Sequence, residues 1–366
     1  MNVTICLSTN GVNVHSGDAP PTRLLVATAH GVSTLERSGA GAPWSVTGTA
    51  LADLHPSSLL IDPHGGEIYA GIHDGGLYFS GDDGATWQRR TKGLSIEHVF
   101  SLRLVNGPTR AVLAGTEPVS LFKSLDQGQS WAELPAVHQV PNMEKWTFPG
   151  PPNIAHTKSL AIDPRDARRM YLGVEQGGLL KTEDGGASWH EIDSYYTPQD
   201  MWYRDIHQIA LRPNHPDELL MTTGIGFYRS EDAGATWDHV TGPESRVGYP
   251  DQLVFSPRDD SVVFHSGARR DPMTWRQSGR ADATVLRSHD AGRAWEPAGR
   301  GLPDQMRHNI EAMGVAGYPG GYMLFIGDTG GNVFASEDEA ESWTLIAEGL
   351  APISKGGHYR AFQAAA

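Results

Sequence analysis

Cysteine is nearly absent from this sequence, in which Cys6 is the single cysteine in 366 residues. One cysteine cannot form an internal disulfide bond, as expected for a protein of a reducing compartment. The sequence also lacks an apolar run of about 18 residues, the length that a transmembrane helix requires. Residues 1–17 are too polar for a secretory signal peptide. We therefore predict a cytoplasmic protein that does not interact with membranes.

Positive charge is also scarce. The chain has 29 Lys and Arg residues against 43 Asp and Glu residues, which gives a formal net charge of −14. This balance disfavours nucleic acid and anionic membranes as partners. We predict a small-molecule substrate instead, and the sequence leaves the oligomeric state open.

A short motif is repeated along the whole chain. It consists of Ser or Thr, then Asp two residues later, Gly four residues later and Trp seven residues later. Five copies are complete, a sixth has Ala340 in the glycine position, and a degenerate copy ends at Trp44. The six clear copies end at Trp87, Trp131, Trp189, Trp237, Trp295 and Trp343.

Each copy predicts a β-hairpin turn. The Asp and hydroxyl side chains accept hydrogen bonds from backbone N–H groups of the turn. Gly adopts a positive φ, and Trp covers the core below the turn. Successive tryptophans are 43 to 58 residues apart, the period of a four-stranded propeller blade with insertions. The sequence therefore predicts an all-β fold, a seven-bladed β-propeller of four-stranded antiparallel blades, as a single domain over residues 1–366.

A ring of blades needs one blade that combines strands from both ends of the chain. The segment 358–363, HYRAFQ, aligns with the predicted innermost strand that begins at His98. We therefore predict that a C-terminal strand closes the ring as the innermost strand of the first blade. The segment 2–9 is the competing candidate.

Histidines recur at the first position of the predicted innermost strands. They are His55, His98, His156 and His358, with His207 two residues beyond Asp205 at the same position of a fifth blade. Because innermost strands line the channel of a propeller, these side chains should surround one mouth of it. Imidazole binds Zn, Cu, Fe and Ni ions, so the pattern predicts a divalent transition metal as cofactor. Capping of strand ends is the alternative role for each histidine alone.

Three long insertions, 132–155, 190–205 and 268–283, are predicted on the same face. Each contains one tryptophan from outside the motif, namely Trp146, Trp202 and Trp275, and Tyr203 follows Trp202. Long loops on one face of a rigid scaffold are commonly binding loops. We predict that these rings line a substrate site, with packing inside their own loops as the alternative.

Ionisable residues are predicted around the same mouth. Glu117 and Glu175 occupy turns between the second and third strands of their blades, and with Asp205 they are candidate general bases or groups that orient a metal-binding histidine. Lys158 and Arg360 lie two residues beyond aligned histidines and are candidate partners for an anionic substrate. Solvated turn residues would give a similar pattern.

The repeated motif, as in TEDGGASW and SEDAGATW, resembles the Asp-box or BNR repeat of sialidases, xyloglucan-active glycosidases, sortilin-type receptors and photosystem assembly factors. The resemblance covers nearly the whole chain and implies the propeller fold, but it says little about function, because the box lies opposite the active face in these proteins. The Arg-Ile-Pro tripeptide of sialidases is absent, which argues against that activity. The segment 159–166 is similar to xyloglucanase blades, although those enzymes resemble two propellers in tandem.

Three hypotheses of function follow. The first is a metal-dependent enzyme, a hydrolase or lyase, that acts on a small polar molecule such as one containing a ring. The second is a metal-free glycoside hydrolase with paired carboxylates. Its candidates are Glu175, Asp205, Asp251 and Asp328. The third is a non-catalytic platform that binds a peptide or protein.

Overall fold

The computed structural model of the protein describes residues 3–106, 110–141, 143–148, 153–196 and 205–363. Seven sheets form a ring, in which each innermost strand contacts the innermost strands of the two neighbouring sheets. The predicted seven-bladed β-propeller is confirmed. The helices of the described part of the chain are one or two turns long, and none of them has the length and apolarity to cross a membrane.

The blades follow one another along the chain, and each blade runs from an innermost strand to an outermost one. Blade 1 contains, in that order, β1 (Thr4–Leu7), β3 (Arg23–Thr28), β4 (Gly31–Glu36) and β5 (Ser45–Ala50). Blade 2 contains β6 (Pro56–Ile61), β7 (Ile68–Ile72), β8 (Gly76–Ser80) and β9 (Gln88–Arg89). Blade 3 contains β10 (Val99–Val105), β11 (Ala111–Thr116), β12 (Leu121–Ser124) and β13 (Ala132–Glu133).

The next three blades repeat this order. Blade 4 contains β14 (His156–Ile162), β15 (Met170–Glu175), β16 (Gly178–Thr182) and β17 (His190–Ile192). Blade 5 contains β18 (Ile206–Arg212), β19 (His215–Thr223), β20 (Gly226–Ser230) and β21 (Asp238–His239). Blade 6 contains β22 (Tyr249–Phe255), β23 (Val263–Ala268), β24 (Thr284–Ser288) and β25 (Glu296–Pro297).

Blade 7 has a fifth strand, because β2 (Val14–Ser16) pairs with the innermost of its four regular strands. These are β26 (Ile310–Tyr318), β27 (Gly321–Asp328), β28 (Val333–Ser336) and β29 (Thr344–Ala347). Short helices lie in the connections at Pro135–Gln139 and Met143–Lys145, at α1 (Pro272–Ser278) and at α2 (Arg360–Gln363). Burial falls from the inner strands to the outer ones, so that β11 is buried throughout whereas β9 is exposed. The apolar cores therefore lie within the ring, between adjacent sheets.

The Asp-box turns have the predicted chemistry. In blade 4 the hydroxyl of Thr182 donates to Asp184 at 2.7 Å and accepts the backbone N–H of Gly186 at 3.0 Å. Gly186 has a φ of +92°, a conformation that costs glycine little. In the copy without glycine, Ala340 adopts a φ of +70°. The motif thus closes the hairpin between the third and fourth strands.

The predicted closure of the ring by the C-terminus is wrong. The innermost strand of blade 1 is β1, from the competing N-terminal segment, and it runs parallel to β3 rather than antiparallel. The residues from Arg360 to Gln363 form the helical turn α2 instead. The aligned pattern of HYRAFQ has apolar residues at spacings that suit a short helix as well as a strand, and only tertiary contacts distinguish the two.

The chain after β1 crosses the central channel before it forms β2, which runs parallel to β26. The backbone N–H groups of Asn10 and Val12 donate to carbonyls of β6 at 3.0 and 3.1 Å. From the other side, the side chain of Gln252 in β22 donates to the carbonyl of Thr9 at 2.7 Å. The N-terminal segment therefore fills the middle of the channel and connects blades that are not neighbours.

Candidate functional site

The candidate site lies at the end of the channel where the innermost strands of blades 2 to 7 begin. The antiparallel order of these six blades brings the turns between their second and third strands to this same end. We call the buried or partly buried ionisable residues at this end the channel-mouth cluster. It consists of His55, His73, His98, Glu117, His156, Lys158, Glu175, Asp205, His207, Asp251, Glu311, Lys355 and His358.

One side of the cluster is a continuous chain of contacts across blades 2 to 4. Nδ1 of His73 lies 2.6 Å from Nε2 of His98, so one imidazole donates a hydrogen bond to the other. Nδ1 of His98 lies 3.4 Å from Glu117, whose other oxygen lies 3.1 Å from Nδ1 of His156. Burial lowers the pKa of both His73 and His98, which keeps these two rings neutral at pH 7.

Glu175 is the centre of the cluster. Its Oε2 lies 2.5 Å from Nε2 of His156 and 2.7 Å from Nζ of Lys158, and its residue exposure is only 2%. Burial acts to raise the pKa of Glu175, but Lys158 and His156 outweigh burial and hold this pKa well below its ordinary value. For His156, burial acts to lower the pKa, and Glu175 and Glu117 outweigh it, so the net shift is upward. Glu175 is therefore ionised, and a positively charged His156 stabilises it.

The other side of the cluster is assembled around Lys355. Its Nζ contacts Asp251 directly and lies 3.9 Å from Oε1 of Glu175. Its backbone N–H donates to Oε2 of Glu311 at 2.8 Å, and Nδ1 of His358 lies 2.9 Å from Oε1 of the same carboxylate. Burial acts to raise the pKa of Glu311, but His358 and Lys355 outweigh it and lower this pKa to about 2.

The C-terminal segment reaches the mouth as an irregular tail. Nε2 of His55 lies 2.9 Å from the carbonyl oxygen of Ser354, and the ring of Phe362 stacks on Trp275 with centroids 6.0 Å apart. His358 therefore joins the cluster from this tail, whereas the alignment placed it at the start of an innermost strand. His55 also packs against His73, with ring centroids 4.4 Å apart.

Asp205 and His207 complete the cluster at the start of blade 5. Nδ1 of His207 lies 2.6 Å from the carbonyl oxygen of Pro250, and its Nε2 faces Oδ2 of Asp205 at 3.5 Å. Oε1 of Glu175 lies 4.0 Å from the same Nε2. These three residues form a group whose ligand atoms all lie within 4.8 Å of one another. Among the described residues, the group whose geometry suits a metal ion therefore consists of Glu175 and Asp205, which were predicted as general bases, and His207, which was predicted as a metal ligand.

The predicted substrate-binding residues are not brought together in the same way. Trp146 is buried in the core between blades 3 and 4, and Trp275 is fully buried against Tyr249 and Phe362. These two rings stabilise their loops and have little surface for a substrate. Trp202 and Tyr203 lie outside the described residues.

The two predicted cationic partners also differ in position. Arg360 is exposed on α2, where its guanidinium lies 5.7 Å from the ring of Tyr359. Lys158 is buried in its ion pair with Glu175 and is a positioning group. Lys158 therefore has little surface for direct contact with a substrate, whereas Arg360 is exposed on the tail that carries His358.

Glu311 and Lys355 belong to the cluster but were missed by sequence reasoning. Glu311 lies in β26, two residues beyond Asn309, which is the position aligned with the other innermost strands. The position of Glu311 relative to the aligned strands could therefore have identified it from the sequence. Lys355 follows the last strand in a segment without any repeat, and no pattern in the sequence places its side chain among three carboxylates.

No family model matches the chain. The chain is 26% identical over 245 residues to a probable oligoxyloglucan-reducing end-specific xyloglucanase of Neosartorya fischeri, a match that covers 64% of this chain and 26% of that protein. It is also 24% identical over 245 residues to the photosystem II assembly lipoprotein Ycf48 of a Synechococcus strain, covering 59% of this chain and 67% of that protein. The similarity to these relatives and the hydrogen bonds of the repeated turns lead to the same assignment. The chain is an Asp-box β-propeller.

Solved structures show the same fold. A crystal structure of an ancestral GH74 enzyme superposes on this Asp-box propeller with a TM-score of 0.61 and 17% identity, over 79% of this chain and 38% of that one. A structure of YCF48 bound to D1 peptide gives a TM-score of 0.57 and 15% identity, over 88% of both chains. The chain thus spans about a quarter of the xyloglucanase that it matches over 245 residues, but nearly all of the YCF48 structure.

Proposed function

We propose that this Asp-box propeller is a hydrolase of glycosides that acts at the channel mouth. The observation that carries the proposal is the continuous chain of imidazoles and carboxylates from His73 to Glu175. Burying several ionised groups usually costs stability compared with apolar packing, so such clusters are enriched at functional sites. The matches to xyloglucanases support glycosides as the substrate class.

The cluster has the two kinds of group that glycoside hydrolysis requires, a proton donor and a group that activates water or attacks carbon. The side chains of His98, Glu117 and Asp205 are 26%, 10% and 12% exposed, so a substrate can contact them. Glu117 lies between His98 and His156, a position from which a proton can move to or from the leaving oxygen. The more deeply buried Glu175 holds His156 in place and is itself paired with Lys158.

A panel of chromogenic aryl glycosides and xyloglucan oligosaccharides tests the proposal. We expect release of product from at least one substrate, and a loss of about 100-fold or more in kcat/KM for Glu117→Gln. The matched control is Glu183→Gln, which changes an exposed carboxylate in the Asp box of blade 4. Absence of turnover on the whole panel, or full activity of Glu117→Gln, would refute the proposal.

A second candidate function is peptide binding on the same face. The observation that favours it is length, because this chain and the YCF48 structure, which contains a D1 peptide, cover each other over 88%. Selection of a displayed peptide library on the immobilised protein tests this function. Peptides that bind wild type and Glu183→Gln equally, but lose binding to His98→Ala, would support it. Selection that is unaffected by His98→Ala would exclude the channel mouth.

A further inference from the structure

We infer that Glu175, Asp205 and His207 form a binding site for one divalent transition metal ion at the inner ends of blades 4 and 5. The site deepens the proposed function, since it names the group that would activate water there, but its evidence is independent of any activity. One atom from each residue, the imidazole nitrogen and two carboxylate oxygens, lies within 4.8 Å of the other two. This ligand set therefore differs from the circle of several histidines that the sequence predicts around the channel mouth.

The first argument is the hydrogen bonding of His207. Its Nδ1 lies 2.6 Å from the carbonyl oxygen of Pro250, an acceptor, so Nδ1 carries the proton. In the neutral ring, Nε2 then has a lone pair. This atom is buried, and no hydrogen-bond partner for it is found among the described residues. An N–H donor to the backbone on one nitrogen, with the other nitrogen free, is the usual arrangement of a metal-binding histidine.

The second argument is what Nε2 of His207 faces. Oδ2 of Asp205 lies at 3.5 Å and Oε1 of Glu175 at 4.0 Å, both too far for a normal hydrogen bond. A lone pair directed at two anionic oxygens is unfavourable in a buried site unless a cation lies between them. A metal ion with ligand bonds of about 2.0–2.2 Å would bring these atoms to a common centre after small shifts.

The third argument is that the backbone holds both carboxylates in place. An isolated antiparallel bridge pairs Glu175 with Asp205, and the N–H of Gly224 donates to the carbonyl of Asp205 at 2.8 Å. A Cβ at position 224 would collide with the Asp205 carboxylate, so glycine leaves the space that this side chain occupies. Oε2 of Glu175 is held by His156 and Lys158, which leaves Oε1 for an ion.

The ligand chemistry indicates the kind of ion. One imidazole and two carboxylates suit Zn²⁺, Mn²⁺ or Fe²⁺ and leave coordination positions for water and a substrate oxygen. Such an ion lowers the pKa of its bound water and supplies a nucleophile near neutral pH. Lys355 is the competing cation, because its Nζ lies 3.9 Å from Oε1 of Glu175.

Metal uptake by the full chain is the decisive measurement. The protein is stripped with a chelator, incubated with Zn²⁺ or Mn²⁺ alone, desalted and analysed for metal content, and the affinity is measured by calorimetry. We expect about one ion per chain, with at least a 10-fold loss of affinity in Asp205→Asn and in His207→Gln. Thermal unfolding of each variant, followed by circular dichroism, shows which of them is folded, and Asp205→Asn changes the more exposed ligand.

The matched control is His98→Gln, which removes an imidazole of the cluster from outside the inferred ligand set and should bind metal normally. Substoichiometric metal in wild type, or a loss of affinity in His98→Gln equal to that in Asp205→Asn, would overturn the inference. Because uptake is measured without substrate, a metal-binding protein that hydrolyses no glycoside would refute only the proposed function. Hydrolysis that persists at full rate in the stripped protein would refute only the role of the ion in activating water.

Discussion

Nζ of Lys158 in β14 lies 2.7 Å from Oε2 of Glu175 in the neighbouring strand β15, and both side chains are almost completely buried. Removal of Lys158 would leave Glu175 with His156 as its nearest cationic partner, and breaking one ion pair of a buried cluster is costly. The ionisation state of the candidate site therefore depends on the folding of blade 4, in which both residues lie.

We predict that Lys158→Met destabilises the protein by about 3–5 kcal/mol. The additional change Glu175→Gln should restore part of this loss, since the buried charge is then gone. Chemical unfolding of wild type, both single variants and the double variant gives the coupling free energy. Additive losses would show that the two side chains do not stabilise each other.

Acid should destabilise the protein through its buried neutral histidines. His265 is buried beside Trp295, with ring centroids 4.3 Å apart, and burial lowers its pKa to about 3. An unfolded histidine binds a proton below its ordinary pKa of about 6.5, whereas the folded one stays neutral until about pH 3. The contribution of His265 to the free energy of unfolding is therefore fully present above pH 6.5. It falls by up to about 1.4 kcal/mol per pH unit as the pH decreases towards 3.

His265→Phe keeps an aromatic ring in this position and removes the titration. We expect its stability to fall less steeply than that of wild type between pH 6.5 and 4, when denaturant unfolding is measured at several pH values. His289→Gln, which changes an exposed histidine, is the control and should follow the wild-type curve. Parallel curves for His265→Phe and wild type would mean that this ring does not titrate as expected.

The glycine of the Asp box provides a test of the repeat. Gly186 has a φ of +92°, and an added Cβ would lie 3.3 Å from a methyl carbon of Leu134. Gly186→Ala should therefore lower the free energy of unfolding by about 1–2 kcal/mol. Gly48→Ala, at an exposed position of β5 with no atom within 4 Å of the added Cβ, should change it little or raise it. Thermal unfolding of the two variants checks the contrast, and equal losses would contradict it.

The sequence predicts the blades well because the chemistry of each Asp-box turn is local. Ser or Thr, Asp and Gly within five residues determine the hairpin, and the turn around Asp184 forms as expected. The closing strand is not local. The choice between β1 and the segment that includes Arg360 depends on contacts with β3, β6 and β26, which no short pattern encodes.

The candidate site shows the same division. The register of the innermost strands correctly brings His98 and His156 to one mouth, and the turn positions bring Glu117 and Glu175 beside them. What the register does not give is which atoms pair. Glu175 faces Lys158 and His156 through one oxygen and His207 through the other because of side-chain packing in three dimensions.

The C-terminal tail should be held over the channel mouth largely by one ring. Phe362 is 4% exposed, stacks on Trp275 and lies near His308, with ring centroids 5.1 Å apart. Since Lys355 is buried while the tail is docked, trypsin can cleave after it only when the tail detaches. A loss of about 3 kcal/mol of packing in Phe362→Ala raises the detached population, and hence cleavage, about 100-fold.

Mass spectrometry of the intact chain during limited trypsin digestion measures this cleavage. Met273→Ala, which changes a side chain on the exposed face of α1, should be cleaved at the wild-type rate. Lys355→Met in the Phe362→Ala background should remove the product and so identify the bond. If Phe362→Ala is cleaved no faster than wild type, the contacts of Ser354, Lys355 and His358 with the cluster are enough to hold the tail, and the stacked rings contribute little to closing the mouth.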